Sequence, residues 1–352
     1  MSSRPAHPVQ VNIKDVAREA GVSIATVSRT FSAPEKVNSK TRLHIQHVAH
    51  QLGYIANSSA QILRTRRSHV LGVVLPTLLN PVFAECLDGI AAAAHASGYS
   101  IMPVTTDYEQ DSEEHAVQTF IAANVDAVLL VVSHPEKSSA LQVLQTKHIP
   151  YVLAYNLHPD HPCVTVDSQA AVADVVTQLA NQGHKNIAMV AGHLNASDRA
   201  QQRYRGYLDA MQQAGLPPRD LIEVPFIENS VAQIGKALAR ADRPSALFCS
   251  NDLLAIRSVR AAREIGLAIP DDLSVVGFDG IALGMDLIPR LTTIMQPNQE
   301  MGRTCVNLLV QALTQDWLPN TTHSKILPYT LRAGESAYLS HKPATRKTRS
   351  IK

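Results

Sequence analysis

The sequence predicts an α/β protein, with a small all-α headpiece followed by a core of two doubly wound α/β subdomains. Three observations support this class. Short helical patterns occupy the first roughly fifty residues. From His69 onward, apolar β-branched runs alternate with helix-like segments, the pattern of parallel sheets covered by helices. That alternation restarts after Val166, which predicts two similar halves.

The headpiece contains two short helices around a tight turn. Val16, Ala17 and Ala20 recur at helical spacing on one apolar face. Gly21 allows a turn that a Cβ would penalise, and Ser23 is a natural N-cap for the second helix.

The second helix has an inward and an outward face. Val27 and Phe31 should point inward, whereas the opposite face carries Ile24, Ala25, Ser28 and Arg29. Short side chains with one outward Arg suit insertion into a DNA major groove. An ordinary helical hairpin with a solvated Arg remains the alternative.

A third helix should begin at Ser39, with Ser39 as its cap, and end at Gly53. The Ser-rich stretch 56–67 is then either a plain linker or a segment that folds on binding DNA.

The core elements follow from hydrophobic runs and their turn residues. We expect strands at 70–75, 98–104, 125–132, 150–155, 186–191, 222–226, 246–249 and 274–279. We expect helices at 81–96, 112–123, 138–146, 168–182, 199–214, 231–240 and 252–265.

Charge is distributed unevenly along the 352 residues, although the net charge is only +2. Residues 1–67 hold ten Lys and Arg against three Asp and Glu, a net of +7. Residues 68–340 carry a net of −10, and the tail 341–352 adds five basic residues. A basic head on an acidic body favours a nucleic-acid contact at the head.

Several classes of protein are disfavoured. No apolar run reaches the length of a membrane span, and residues 1–10 lack a signal-peptide core. The four cysteines are far apart, which indicates reduced, buried thiols and a cytoplasmic location. The sequence shows no Walker loop, GxSxG, HExxH or paired-Cys motif, so we expect no enzyme activity, no cofactor and no metal.

A few polar residues stand where predicted strands end. Asn251 and Asp252 follow one strand, and Asp279 ends another. Ligands of doubly wound folds bind at these strand ends and in the cleft between halves. Asp252 could equally cap its helix, and a lone Arg such as Arg203 is usually a surface group.

Residues 11–335 resemble the lactose-repressor/galactose-repressor (LacI/GalR) family of bacterial transcription regulators. The matching motifs are Ile13-Lys14-Asp15-Val16-Ala17, Ala20-Gly21-Val22-Ser23, Ala25-Thr26-Val27-Ser28-Arg29, Leu52-Gly53-Tyr54, Leu71-Gly72-Val73-Val74, Asn80-Pro81-Val82-Phe83, Gly183-His184, Ser250-Asn251-Asp252, the run from Ile269 to Asp279, and Leu291-Thr292-Thr293-Ile294.

This resemblance implies a domain organisation. A helix-turn-helix headpiece occupies 1–57 and a hinge helix with its linker 58–68. A periplasmic-binding-protein-like core for effector binding and dimerisation spans 69–340, with subdomain one at 69–166 and 297–328 and subdomain two at 167–296 and 329–340. The basic tail 341–352 should be disordered, and no leucine heptads follow Glu335, so a lactose-repressor type of tetramerising segment is absent.

The resemblance also implies DNA contacts. Ile24, Ala25 and Arg29 should face base edges, while Thr26 and Ser28 contact phosphates or support the helix. The full set of implied DNA-binding residues is Ser23, Ile24, Ala25, Thr26, Ser28, Arg29, Asn57 and Leu63, with Leu63 wedged into the minor groove. The hinge departs from the common family pattern at Ser58 and Ile62.

Effector contacts carried over from the family are Val82, Phe83, Tyr155, Arg203, Asn251, Asp252 and Asp279. These groups suit a polyhydroxylated ligand such as a sugar, sugar phosphate or sugar acid. The expected protein is therefore a cytoplasmic homodimeric repressor that binds a pseudo-palindromic operator in double-stranded DNA under effector control. The alternative is a free sugar-binding receptor on the same core, which would have an export signal and no headpiece.

Overall fold

The structure, a computed structural model, describes residues 11–54, 67–225 and 230–339. The predicted DNA contacts Asn57 and Leu63, most of the predicted hinge at 58–68 and the predicted tail at 341–352 lie outside these residues. The chain divides into two compact units between Ser68 and His69, and each is described by itself below.

The headpiece consists of three helices around a small apolar core. They are α1 (Ile13–Glu19), α2 (Ile24–Ser32) and α3 (Ser39–Gln51), with a 3₁₀ turn at Pro34–Lys36 before α3. One fully buried residue from each helix forms the centre of this core: Val16, Val27 and Ile45.

Local hydrogen bonds set the ends of these helices. Gly21 has a φ of +63°, and Val22 N–H donates to the Ala17 carbonyl at 3.0 Å, which closes α1 in a left-handed turn. Ser23 caps α2, as predicted, by accepting from the Thr26 N–H at 3.2 Å. α3 begins at Ser39, as predicted, but the prediction that Ser39 is its cap was wrong: the cap is Asn38, which accepts from the Lys40 N–H at 3.0 Å.

The core contains eight helices and twelve strands in the described residues. The helices are α4 (Pro81–Ala96), α5 (Gln110–Ala122), α6 (Ser139–Thr146), α7 (Ser168–Asn181), α8 (Asp198–Gln213), α9 (Ser230–Leu238), α10 (Asp252–Glu264) and α11 (Asn298–Gln315). The strands are β1 (Val70–Leu75), β2 (Ser100–Thr105), β3 (Ala127–Leu130), β4 (Tyr151–Ala154), β5 (Cys163–Thr165), β6 (Ile187–Ala191), β7 (Ile222–Glu223), β8 (Ala246–Cys249), β9 (Ser274–Asp279), β10 (Thr292–Met295), β11 (Lys325–Ile326) and β12 (Thr330–Arg332).

Two six-stranded sheets organise the core. Sheet 1 has the order β11-β5-β4-β3-β1-β2, and sheet 2 has the order β12-β10-β9-β8-β6-β7. All neighbouring strands are parallel except β10 and β12. We call sheet 1 with α4–α6 and α11 the first half, and sheet 2 with α7–α10 the second half. The chain passes between the halves after β5, after β10 and between β11 and β12.

Several element boundaries differ from the predicted ones. The predicted strand at 125–132 is hydrogen-bonded only over Ala127–Leu130, and the one at 222–226 only over Ile222–Glu223. β5, β10, β11 and β12 were not among the predicted strands. These strands have four residues or fewer and lie at the crossings between halves, so their pairing depends on distant partners rather than on a local pattern.

Close packing of α4 against α11 joins the beginning and end of the first half. A Cβ on Gly89 would lie 2.1 Å from the Gln299 carbonyl oxygen, and one on Gly302 would lie 2.3 Å from the Cys86 carbonyl oxygen. On α4, Ile90 and Ala94 are buried in the core of the single chain. The two backbones can approach this closely only because both contact positions are glycines.

All four cysteines are buried and free of disulfides, as the sequence predicts. No helix in the described residues has the length and apolar character needed to cross a membrane.

We expect Gly89→Ala to destabilise the core by roughly 1–3 kcal/mol, because the added methyl collides with backbone that cannot move independently. Gly235→Ala is the matched control, since Gly235 lies inside α9 and a Cβ there would have nothing within 4 Å. The control should be neutral or stabilising by about 0.5–1 kcal/mol. Denaturant unfolding of both variants provides the measurement, and equal stability of the two would contradict the packing argument.

Candidate functional site

The outward face of α2 presents the residues predicted to read DNA. Ile24 is 45% exposed, and Ala25, Ser28 and Arg29 are also exposed. Val27 is fully buried on the opposite side of the helix. The headpiece core therefore fixes α2 while its small residues and one guanidinium remain available on the surface.

Two of the predicted DNA-binding residues also hold the first turn of α2. The Ser23 Oγ accepts from the Thr26 N–H, and the two hydroxyl oxygens are 2.8 Å apart. Thr30 is buried and donates from its hydroxyl to the Thr26 carbonyl at 3.0 Å. Ser23 and Thr26 thus have a structural role that does not depend on DNA.

A second candidate site is a cavity of about 140 Å³ at the carboxyl ends of the strands of both sheets. Its wall consists of Val82, Phe83, Tyr108, Tyr155, Gly192, His193, Ala196, Ser197, Arg199, Ala200, Arg203, Ser250, Asn251, Asp279 and Gln296. This is where ligands of doubly wound folds bind.

Six of the seven predicted effector contacts line this cavity: Val82, Phe83, Tyr155, Arg203, Asn251 and Asp279. They come from positions up to about two hundred residues apart in the chain, and from both halves of the core. Asp252 does not line it.

Asp279 is the most heavily engaged residue of the cavity wall. Its Oδ2 accepts from the Asn80 amide of the first half at 3.1 Å. Its Oδ1 accepts from Gln296 at 2.9 Å and from the Arg203 guanidinium at 3.4 Å. Burial raises the pKa of this carboxyl, against the opposing effect of the Arg203 charge. Asp279 therefore joins the two halves directly.

Arg203 is a buried residue of α8 rather than the surface group that a lone Arg usually is. It donates to the Ser250 carbonyl at the end of β8, and its Cζ lies 3.8 Å from the centre of the Phe278 ring. Burial lowers its pKa, and the Asp279 carboxylate opposes this. The stacked ring and the two acceptors fix the guanidinium plane.

Tyr155 forms part of the cavity wall on the first half. Its φ is +64°, an uncommon backbone conformation for a bulky residue. Its hydroxyl lies 3.1 Å from both the Val82 carbonyl and Asn298 Oδ1, two acceptors for its single proton, and its ring meets Phe83 edge-on at 5.5 Å. Burial raises its pKa well above the usual value, so the hydroxyl stays protonated.

Asn251 and Asp252 divide the roles that the sequence left open. The helix cap is Asn251, whose Oδ1 accepts from the Leu254 N–H at 2.9 Å, and not Asp252. Asp252 is fully buried and accepts from the Thr293 hydroxyl and from the Ile281 N–H at 2.8 Å. It therefore ties α10 to the chain that follows Asp279.

The cavity also includes residues that the sequence analysis did not identify. Arg199 stands one helical turn before Arg203, a spacing that could have revealed it. Tyr108, with a φ of +66°, and Gln296 have no local pattern that marks them. Their positions depend on where loops meet in three dimensions.

Within the described residues, no group of three or more His, Cys, Asp or Glu side chains could hold a metal ion.

A pH prediction follows from Asp252. Burial and the neighbouring Asp279 charge raise its pKa to about 7, above the usual value of 3.8. The folded state therefore binds this proton more tightly than the unfolded state, and stability should fall as pH rises from about 4 to about 7. Asp252→Asn should remove part of this loss, on the order of a few kcal/mol.

The measurement is denaturant unfolding of both proteins across that pH range. Asp286→Asn, at an exposed position, is the matched control and should follow the wild-type curve. Parallel curves for the wild type and Asp252→Asn would show that Asp252 carries no such shift.

Two family models match the chain. Residues 12–57 match the model for bacterial regulatory proteins of the lacI family, and residues 176–337 match a periplasmic binding protein-like domain. The first match covers α1–α3, and the second covers most of the second half together with α11.

Related proteins match over most of their length. The chain is 32% identical over 313 residues to catabolite control protein A of Priestia megaterium, covering 88% of this chain and 94% of that protein. It is 31% identical over 306 residues to the HTH-type transcriptional repressor CytR of Escherichia coli K12, covering 86% and 89%.

Among solved structures, the lac repressor dimer bound to operator and the anti-inducer ONPF matches with a TM-score of 0.83 and 26% identity, over 93% of this chain and 99% of that one. The headpiece, the two-sheet core and these similarities agree. The chain belongs to the LacI family of bacterial regulatory proteins, which are helix-turn-helix transcription regulators with a periplasmic-binding-protein-like core.

Proposed function

We propose that the protein is a transcriptional repressor whose operator binding is controlled by a small effector bound in the cavity between the halves of its core. The effector class we propose is a sugar, a sugar phosphate or a sugar acid. The repressor acts in the cytoplasm, as a homodimer on a pseudo-palindromic operator, because a palindrome is matched by a two-fold protein.

The observation that carries this proposal is the composition of the cavity wall. The first half contributes Phe83 and Tyr155, and the second half contributes Arg203, Asn251 and Asp279. Aromatic rings can stack on the apolar face of a sugar, while the amide, carboxylate and guanidinium groups can bond to its oxygens.

Asp279 supplies a physical route from ligand to conformation. In the structure it accepts from Asn80, across the two halves. A ligand that bonds to the Asp279 carboxylate in place of Asn80, or that strengthens the bond between them, changes the free energy difference between two arrangements of the halves. We propose that this shift in population alters the separation of the two hinges in the dimer, and so the affinity for the operator.

For DNA binding we assign Arg29, Ile24 and Ala25 to contacts with base edges. We assign Ser28 and Thr26 to contacts with DNA phosphates or to support of α2. The exposure of this face of α2 and the similarity to a repressor dimer solved on its operator support this assignment. The predicted contacts Asn57 and Leu63 remain part of the proposal.

The alternative of a free sugar-binding receptor shares the core but has no use for a helix-turn-helix. The match of residues 12–57 to a DNA-binding family and the names of the related regulators favour a repressor.

Arg29→Ala should weaken binding to the best operator by about 1–3 kcal/mol, roughly 5–150-fold, and relax the preference at one base pair in each half-site. The reason is that a guanidinium can form a bidentate bond to one guanine. The measurement is selection of binding sites from random double-stranded DNA, followed by titration of single-base variants.

Arg18→Ala is the control, because it removes the same charge from the exposed surface of α1. It should leave the base preference unchanged. If Arg29→Ala weakened binding to every sequence equally, Arg29 would be a phosphate contact.

Asp279→Asn should abolish effector-induced release of the operator, or weaken that response by about 10-fold or more. The reason is that the substitution removes the charge that engages Arg203 and the ligand. Operator binding without effector should persist. A panel of sugars and their acid and phosphate derivatives, scored by release of a selected operator, provides the measurement. Asp286→Asn is the surface control, and a wild-type response in Asp279→Asn would place the effector elsewhere.

A further inference from the structure

The cavity wall contains two arginines from a single helix. Arg199 and Arg203 stand one turn apart on α8, and their side chains are only 6% and 10% exposed. Both line the cavity. Two buried guanidinium groups on one wall are costly to desolvate, so their hydrogen-bond partners decide what the cavity can hold.

Several acceptors of the wall are already engaged by the protein. Both carboxylate oxygens of Asp279 accept hydrogen bonds. The Asn251 Oδ1 caps α10, and the Ser197 Oγ caps α8 by accepting from the Ala200 N–H at 3.2 Å. A ligand hydroxyl that donates to one of these oxygens therefore has to share it with a protein donor.

Positive charge is concentrated on the same wall. The Nη2 of Arg199 and the Nε of Arg203 have no hydrogen-bond partner among the residues that the structure describes, and both atoms are enclosed by protein rather than open to the cavity. Ser197, Arg199 and Ala200 bring the first turn of the sixteen-residue helix α8 to the cavity. That end of a helix carries partial positive charge.

The acid that balances Arg199 does not face the cavity. Asp198 lies 3.2 Å from the Arg199 guanidinium, but its oxygens also accept from Asn156 at 2.8 Å and Gln202 at 3.3 Å, and it is not part of the cavity wall. Arg199 is itself held in place by its bond to the Val132 carbonyl at 2.7 Å. Of the Asp198–Arg199 pair, only the positively charged member therefore lines the cavity.

From this distribution we infer that the effector carries a carboxylate or phosphate group, which Arg199 binds together with Arg203. Such a group is negatively charged and only accepts hydrogen bonds, so it matches a wall that combines two guanidinium groups with the first turn of a helix. The inference rests on the proposed function, because it names the chemistry of the ligand for that same cavity. Arg199 thereby selects an anionic ligand over its neutral analogue.

The test compares matched pairs of probes on the purified full-length protein by isothermal titration. The pairs are D-gluconate with D-glucitol, D-galacturonate with D-galactose, and D-glucose 6-phosphate with D-glucose, each up to roughly 10 mM. The ratio of the Kd values within a pair is the readout, because a general loss of folding or closure changes both members alike.

The wild type should bind the anionic member of at least one pair about 10-fold or more tightly than the neutral member. Arg199→Gln should reduce that ratio to near one, and Arg199→Lys should keep part of it through its charge. Arg205→Gln is the matched control, since Arg205 is an exposed arginine of the same helix, and it should keep the wild-type ratio. The carboxylate and phosphate pairs distinguish the two anions.

Three results would overturn the inference: tighter binding of the neutral member, a preference that survives Arg199→Gln, or a panel in which no anionic probe binds. Operator binding by the same preparations separates this from the proposed function. If a neutral sugar binds the protein and causes it to release the operator, the proposed function stands and only the inference of an anionic effector is contradicted. A protein that binds no operator would fail at the proposed function itself.

Discussion

The carboxylate of Asp279 is the constraint on which the cavity between the two halves depends. It ends the central strand β9 and is bonded by Asn80 from the first half, Gln296 from a crossing segment and Arg203 from the second half. A buried carboxylate is tolerated only with such a full set of donors. The same three bonds therefore satisfy a buried charge, set the cavity wall and join the two halves.

Behind this carboxylate lies a second acid that has a different role. Asp252 is bonded to Thr293 and to the backbone of Ile281, and it fits against Gly277, where a Cβ would lie 2.1 Å from its Oδ1. Its raised pKa reflects both burial and the charge of Asp279. The two neighbouring acids thus divide the work, with one facing the cavity and the other holding the loop that positions it.

Backbone geometry shapes the cavity as much as side-chain chemistry does. Tyr108, Tyr155 and Asp279 all have positive φ values, which are uncommon for residues other than glycine. Residues held in such conformations persist only where the surrounding structure determines them strongly, and they concentrate at ligand sites. Elsewhere in the first half, Gly89 and Gly302 let α4 and α11 pack at backbone contact. Backbone conformation and close helix packing thus determine the shape of this cavity together with its side chains.

The sequence by itself determined the elements and much of the site. The periodicity of α2, the alternation of the core and the family motifs identified the exposed face of α2 that we propose reads DNA and six residues of the cavity wall, because both depend on local spacing or on motifs within one segment. Tertiary structure decided the rest. The sequence left open whether Asn251 or Asp252 caps α10. Tertiary contacts decide this, because Asp252 bonds to Thr293 and Ile281, which lie far along the chain, and is turned away from the cavity. The short strands β5, β10, β11 and β12 form only where distant segments pair. Tyr108 and Gln296 join the cavity because segments that are distant in sequence converge there, a long-range arrangement that local patterns do not encode.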